Sequence, residues 1–300
     1  MIDFYGSGFD VAEKMGLLDT LQARQYLLPK LIFVESDGRS QAALPVSLLR
    51  VYLKDRFFNF LRGDLAKVLW EAVRPSVPIQ FGVSVAGIEE RPDGVCVELS
   101  DATRRDCDLR IGADGVHSHI RNLLWGDERP FDRLLGYYVA CGIVVNFLGA
   151  QDAFYCHMEP KAGSSVYSIH GNRLATFFAF QSEPLNVPDR GAQANALQRI
   201  YDGQGWIVPR LVEATRQSAN FYFDAVTQIV LAPWHKGRVA LVGDACQCLR
   251  LMAGRARLWR WRGLICYRPN CSVRAAIIRL LSRPTSRCFC PISGSARPTH

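Results

Sequence analysis

Two short Gly-Asp segments contain the residues whose types and spacing could bind a nucleotide. In the first, a strand-like run from Cys107 ends in the turn 112–115, Gly-Ala-Asp-Gly, and a helical pattern follows with Ser118 near its start. A strand that ends in a tight glycine turn and leads into a helix places backbone N–H groups where a phosphate can bind. The same residues also fit an ordinary turn in which Asp114 only caps the helix.

The second segment, GRVALVGDA over residues 237–245, offers a single carboxylate after a short apolar run. We expect the run to form a buried strand that delivers Asp244 to its carboxyl end, which is the edge of an α/β sheet where ligands bind. A carboxylate at that edge can accept hydrogen bonds from the hydroxyls of a ribose. A capping role remains the alternative for Asp244 as well.

The elements that must position these turns follow from hydrophobic periodicity and turn signals. Apolar residues at helical spacing predict a helix over 64–74 and a more polar one over 191–201. The repeated β-rich runs between 134 and 180 predict a mostly antiparallel sheet with a binding face. Further strands are predicted over 79–88, 95–99, 107–113, 221–231 and 237–242.

In this order, and about 130 residues apart, the two segments resemble the fingerprints of the flavin-dependent aromatic hydroxylases, or group A flavoprotein monooxygenases. The similarity is greatest to the tetracycline-inactivating flavin monooxygenases and covers roughly residues 1–254. GADGVHSHIR resembles the fingerprint that serves the flavin pyrophosphate and the nicotinamide nucleotide, and GRVALVGDA resembles the one whose Asp holds flavin ribityl or ribose hydroxyls. FFNFLRGDLAKVL resembles the start of a helix whose Arg reaches the flavin. The resemblance implies cofactor-binding roles for Gly112, Asp114, Gly115, Gly243, Asp244 and Arg62.

The resemblance also implies a reaction. NAD(P)H would reduce bound FAD, dioxygen would add to give a flavin hydroperoxide, and an aromatic or polycyclic small molecule held by the middle sheet would be hydroxylated. Because the flavin carries the chemistry, no catalytic side chain and no metal site is expected. The alternatives are a non-catalytic remnant that does not hold FAD and a related FAD-dependent reductase.

Several aromatic and histidine side chains in the predicted sheet are open to two interpretations. The four aromatic residues could line a substrate pocket, although alternating aromatics in a strand are more often core residues. For the two histidines, a satisfied or exposed position in a strand is the simpler interpretation. These residues are Tyr167, Phe177, Phe178, Phe180, His157 and His170.

The fold class expected from these features is α/β, an incomplete Rossmann-like FAD-binding domain with an inserted, mostly antiparallel β-sheet substrate domain. The boundaries are 1–132 for the first part of the FAD-binding domain, 133–232 for the substrate domain, 233–254 for the GD-motif part and 255–300 for an Arg-rich tail. Gly6-Ser7-Gly8 does not match a G-x-G-x-x-G fingerprint, because Val11 occupies the sixth position, and we expect no strand before it. One βαβ unit of roughly thirty or more residues is therefore expected to precede Met1.

The net charge of +8 is concentrated in the tail. Residues 251–300 contain ten Arg and no Lys, Asp or Glu, so the first 250 residues carry a net charge of −2. Deleting one G from codons for the family-like peptide Gly-Gln-Gly-Ala-Ser-Leu-Ala-Met-Ala-Gly yields the observed residues 254–263, GRARLWRWRG. We therefore predict an out-of-frame translation from about Gly254. The competing interpretation is an arginine-rich tail that binds nucleic acid or membrane.

The remaining composition indicates a cytoplasmic protein. No run of roughly 18 to 20 apolar residues predicts a membrane span, and the first residues lack the pattern of a signal peptide. The Cys246-x-Cys248 and Cys288-x-Cys290 pairs have poor spacing for metal ligands. Substrate identity, the choice between NADH and NADPH, and oligomeric state are not determined by the sequence.

Overall fold

The computed structural model describes residues 2–151 and 153–247. The Cys288-x-Cys290 pair, Cys248, and the frame change predicted from Gly254 lie outside the described residues. The described helices are α1 Ser7–Lys14, α2 Leu18–Gln22, α3 Val46–Tyr52, α4 Arg62–Val73, α5 His119–Trp125, α6 Arg190–Ile200 and α7 Val208–Gln217, with a 3-10 turn at Gly243–Ala245. The strands are β1 Ile2–Tyr5, β2 Lys30–Val34, β3 Ser40–Pro45, β4 Phe57–Phe60, β5 Val85–Arg91, β6 Gly94–Leu99, β7 Arg104–Cys107, β8 Arg110–Gly112, β9 Asp132–Val145, β10 Ala153–Glu159, β11 Ala162–Ile169, β12 Arg173–Gln181, β13 Tyr222–Ile229, β14 His235–Lys236 and β15 Val239–Leu241.

The chain divides into two compact units. Among the described residues, the first combines 2–9, Gly16–Leu65 and Leu134–Val226, and the second combines Asp10–Met15, Ala66–Arg133 and 227–247. The sequence-based boundaries keep residues 1–132 together, whereas in the structure β2 and β3 extend the sheet of the first unit. This grouping arises from a long-range pairing in which β2 lies parallel to β10.

A seven-stranded sheet with the order β13-β9-β12-β11-β10-β2-β3 organises the first unit. The ladders β9-β12, β12-β11, β11-β10 and β2-β3 are antiparallel, as the sequence predicts for this region, and β2-β10 is parallel. One face of the sheet packs against α6 and α7 around buried residues that include Phe178, Leu197 and Leu211. Because successive side chains of a strand point to opposite faces, the same sheet also presents a second face.

Within the part of the chain that the structure describes, that second face carries a buried cluster at one end. Tyr26, Leu28, Tyr167 and Ile169 form a small buried cluster there. Farther along the same face, side chains such as Phe177 are half-buried. The first unit therefore has one closed and one partly open sheet face.

Two three-stranded sheets form the second unit, with the orders β5-β6-β7 and β14-β15-β8. Val95, Val97, Ile120, Val239 and Leu241 are fully or almost fully buried in its core. In the smaller sheet β8 and β15 are parallel, with Arg110 opposite Val239 and Gly112 opposite Leu241. Because both strands run in the same direction, the turns after them emerge at one edge.

Most element boundaries agree with the sequence, and three features differ. The helices α4 and α6 lie within a residue or two of the predicted bounds. The strand predicted over 79–88 begins only at Val85, and the one predicted over 107–113 is interrupted at 108–109 between β7 and β8. The expectation that no strand precedes Gly6 is wrong, because β1 lies there and pairs antiparallel with β4. A nucleotide-binding βαβ unit uses parallel strands instead.

Candidate functional site

The two Gly-Asp turns come together at the carboxyl edge of the β8-β15 pair. The backbone N–H of Val242, directly after β15, donates to the carbonyl of Gly112 over 2.8 Å. This bond extends the parallel ladder by one step, so the turn after Gly112 and the turn after Val242 begin side by side. Ligands of α/β sheets bind outside this edge of the sheet.

Asp244 lies at the centre of the second turn and is 7% exposed. The preceding Gly243 has φ of +62°, in the left-handed region that favours glycine, and a Cβ placed there would meet no atom of the described residues within 4 Å. The Gly243 carbonyl accepts from the backbone N–H of Gln247 at 3.0 Å, which closes the turn. A buried carboxylate is thus presented from a backbone that can be approached closely.

In the first turn, Gly112 and Gly115 suit glycine for different structural reasons. A Cβ on Gly112 would lie 2.6 Å from Leu241 Cδ2 and 3.2 Å from Ile120 Cγ2, so only glycine lets β8, β15 and α5 pack this closely. Gly115 has φ of +85°, and no atom in residues 2–151 or 153–247 lies within 4 Å of the place its Cβ would take. Gly112 therefore serves packing, and Gly115 provides an accessible stretch of backbone.

Asp114 uses both carboxylate oxygens to shape the start of α5. Its Oδ1 accepts from the hydroxyl of Ser118 at 2.6 Å, and its Oδ2 accepts from the backbone N–H of Ile120 at 3.0 Å. Ser118 is itself the N-cap of α5 and accepts from the backbone N–H of Arg121 at 3.0 Å. Asp114 thus has the helix-capping role that the sequence offers as the alternative. Both of its carboxylate oxygens hold the turn in place.

Arg121 connects the two turns although the sequence does not mark it as a site residue. Its guanidinium is fully buried and donates from Nη1 to the carbonyl of Ala245 at 2.9 Å and from Nη2 to the carbonyl of Val116 at 2.6 Å. Glu128 Oε1 lies 3.4 Å from the same Nη2 and 3.2 Å from His117 Nδ1. The available signal was its place as the last residue of the GADGVHSHIR segment.

Next to Asp244, the Cys246 thiol is 3% exposed and its Sγ contacts the carbonyl of Gly243 at 3.3 Å. Burial raises the pKa of this thiol to about 12, and the negative charge of Asp244 adds to the rise. The thiol is therefore held neutral inside the turn.

Arg62 lies in the first unit, whereas the other five predicted site residues lie in the second. It is exposed at the first position of α4. Its positive charge lowers the pKa of two groups of its own unit that burial raises, the Cys141 thiol and the Tyr222 hydroxyl. Tyr222 donates to Asp224 Oδ2 at 2.7 Å. The positive charge of Arg62 thus acts on side chains of the partly open face of the large sheet.

The structure separates the four sheet aromatics by face. Phe178 and Phe180 are buried with α6 and α7, and Tyr167 is buried in the cluster with Tyr26. Phe177 is half-buried, lies opposite Cys141 in the β9-β12 ladder, and belongs to the partly open face. Of the four, only Phe177 is placed where it could contact a ligand on that face.

The two sheet histidines have the positions expected of structural residues. His157 is 1% exposed, with Nδ1 at 3.0 Å from the carbonyl of Val34 and Nε2 at 3.4 Å from Glu159 Oε1. His170 is exposed, and its ring packs on that of Tyr26 with centroids 4.6 Å apart.

Residues 11–255 match the family model described as FAD binding domain. An uncharacterized protein of Mycobacterium tuberculosis is 35% identical over 261 residues, which is 85% of this chain and 69% of that protein. A flavin-dependent monooxygenase of Legionella longbeachae is 29% identical over 261 residues, covering 85% of this chain and 66% of that enzyme. The chain thus spans about two thirds of the length of these relatives.

The fold is also similar to solved structures. The tetracycline destructase Tet(55) superposes with a TM-score of 0.80 at 25% identity, over 93% of this chain and 73% of that one. Among the described residues, no helix is long and apolar enough to cross a membrane.

Proposed function

The chain belongs to the FAD binding domain family, in the branch of the flavin-dependent monooxygenases, and from this premise we propose that it uses NAD(P)H to hydroxylate an aromatic or polycyclic small molecule. The observation that carries the proposal is the meeting of the Asp244 turn and the Asp114 turn at the carboxyl edge of β8 and β15. FAD, when bound, supplies the redox chemistry and the activation of dioxygen.

The residues of the second unit fit the demands of such a cofactor. Asp244 is a buried carboxylate at the end of a parallel strand, which suits hydrogen bonds from ribityl or ribose hydroxyls. Gly115 and Gly243 have left-handed backbone with no other described atom within 4 Å of a Cβ position, which would let a pyrophosphate approach their chain closely. Asp114 would act by holding the turn that precedes α5.

Support for the substrate surface comes from the first unit. The partly open face combines apolar side chains, Phe177 and Cys141, with a polar pair, Tyr222 and Asp224. An apolar surface with a few placed polar groups is typical of sites for small organic ligands. Arg62 would add positive charge near this face, and the names of tetracycline-inactivating relatives agree with a polycyclic substrate.

The first experiment measures FAD binding by the full chain, through flavin fluorescence and the visible flavin absorbance. Asp244→Asn keeps the size of the side chain and removes the charge, and should weaken FAD binding by roughly 10- to 100-fold, as expected for lost charge-assisted hydrogen bonds. Asp127→Asn is the matched control, because Asp127 is an exposed carboxylate of the same unit that pairs with Arg129. It should leave FAD affinity unchanged.

A second measurement assigns the reaction. Consumption of NADH or NADPH coupled to oxygen uptake and to a product heavier by one oxygen atom supports the monooxygenase. Nicotinamide oxidation with a reduced product and no oxygen incorporation would identify an FAD-dependent reductase instead. A colourless chain that binds no FAD at saturating cofactor would identify a non-catalytic remnant and overturn the proposal.

A further inference from the structure

We infer that Tyr222 is a specificity-determining residue of the partly open sheet face, where its hydroxyl oxygen accepts a hydrogen bond from the organic ligand. The ligand class that fits is an aromatic ring system with an O–H or N–H donor at one edge. This selection deepens the proposed function and rests on it, because that function takes the same face as the substrate surface.

Tyr222 lies on β13, at the edge of the seven-stranded sheet. Its neighbours along the chain, Phe221 and Phe223, pack into the core on the closed face. Because successive side chains of a strand point to opposite faces, Tyr222 and Asp224 belong to the partly open face. Tyr222 is 46% exposed there. A ligand on this face can therefore reach its hydroxyl.

The proton of the Tyr222 hydroxyl is already engaged within the protein. It is donated to Asp224 Oδ2 over 2.7 Å, and Asp224 Oδ1 accepts from the backbone N–H of Ala225 at 2.9 Å. Burial and the negative charge of Asp224 raise the pKa of Tyr222, so the hydroxyl keeps its proton at neutral pH. A tyrosine hydroxyl has one proton to donate and can also accept. Toward a ligand, Tyr222 therefore offers an acceptor and no donor.

The apolar part of the face lies beside this hydroxyl. Phe177 on β12 is opposite Cys141 on β9, and β9 is also the neighbour of β13. Cys141 is among the groups whose charge raises the pKa of Tyr222, so these two side chains lie close together. Adjacent strands are about 4.8 Å apart, which separates β12 from β13 by about 10 Å. A flat molecule of fused aromatic rings on Phe177 and Cys141 can thus place a donor at Tyr222.

Two probes that differ by one hydrogen-bond donor test the selection. 2-Naphthol presents an O–H, whereas 2-methoxynaphthalene presents only an ether oxygen on the same ring system. Equilibrium dialysis against the full chain, with the probe measured by its absorbance, gives both dissociation constants without FAD or turnover. The parental chain should bind 2-naphthol about five- to tenfold more tightly, as expected for one hydrogen bond made or lost.

Two variants should reduce this preference in opposite ways. Tyr222→Phe removes the acceptor and should weaken 2-naphthol binding until the two dissociation constants are equal. Asp224→Ala releases the tyrosine proton for donation to the ether oxygen, so 2-methoxynaphthalene should bind more tightly than it does to the parental chain. Tyr155→Phe is the matched control, because Tyr155 packs against the core on the closed face of the same sheet. It should keep the parental preference.

The outcomes separate ligand selection from a structural role. Equal affinities in the parental chain, or the absence of 2-naphthol binding, overturn the inference. A preference that persists in Tyr222→Phe, or an equal weakening of both probes in that variant, also overturns it. If the parental chain binds no FAD while the preference and its loss in Tyr222→Phe hold, the proposed function fails and the role of Tyr222 stands. If flavin-dependent hydroxylation occurs without the preference, the inference alone fails.

Discussion

At the scale of single residues, the two carboxylates of the candidate site, Asp114 and Asp244, have different surroundings. Asp114 gives both oxygens to the start of α5, while Asp244 is buried in a turn whose backbone remains open to approach. Both stand close to a glycine after a predicted strand, so the sequence leaves a cofactor-binding role and a capping role open for each of them. The difference arises from the helix after the first turn, because α5 offers N–H groups that Asp114 can cap.

Asp114 and Asp189 form a matched pair for testing this assignment. Asp189 is the N-cap of α6 in the other unit and accepts from the backbone N–H of Ala192 at 2.8 Å. We expect Asp114→Ala and Asp189→Ala each to lower the free energy of unfolding by about 0.5–2 kcal/mol, measured by urea denaturation. Only Asp114→Ala should also weaken FAD binding, since only its turn adjoins Asp244. Equal FAD affinities for the two variants would show that the first turn does not contribute to the site.

At the scale of elements, the residues of strand β12 alternate between the packed core and the partly open face of the sheet. Its residues alternate between the closed face, with Phe178 and Phe180, and the partly open face, with Phe177. Period-2 alternation predicts that neighbouring aromatics point to opposite faces. It does not say which face the helices cover, and that is decided only by the packing of α6 and α7.

Phe177 and Phe178 therefore should respond differently to truncation. Phe178 is 0% exposed, so Phe178→Ala should cost about 3–5 kcal/mol of unfolding free energy through loss of core contacts. Phe177→Ala should cost about 1 kcal/mol, as is typical of a partly exposed site, and should raise KM for the organic substrate without changing FAD affinity. Thermal denaturation and steady-state kinetics measure the two effects. An unaltered KM in Phe177→Ala would remove this face from the substrate site.

At the scale of the whole molecule, charge and family similarity divide the chain at nearly the same place. The first 250 residues carry a net charge of −2, and the excess of positive charge lies in the ten Arg of residues 251–300. The match to the family model ends at residue 255. We propose that a change of reading frame near Gly254 accounts for both observations, because shifted GC-rich codons would yield Arg, Trp and Cys without Lys or acidic residues.

The frame change has a direct test in the DNA. Sequencing across codon 254 should show that one inserted base restores Gly-Gln-Gly-Ala-Ser-Leu-Ala-Met-Ala-Gly in place of the observed residues 254–263. The restored chain should bind FAD more tightly than the present one in the same fluorescence titration. If no single-base change yields a family-like continuation, the tail is a genuine Arg-rich segment, and its binding to nucleic acid or anionic vesicles becomes the question.

The sequence by itself determined the local features of this protein. It predicted the strand-turn-helix at Asp114, the strand that leads to Asp244, the helix α4 and the antiparallel region, because glycine positions and hydrophobic periods act over a few residues. Only the tertiary structure decided that β2 and β3 join the large sheet, that Phe177 lies on the partly open face, and that Arg121 reaches Ala245. These features depend on strand pairing and packing between distant segments, which a single sequence does not encode in any local period.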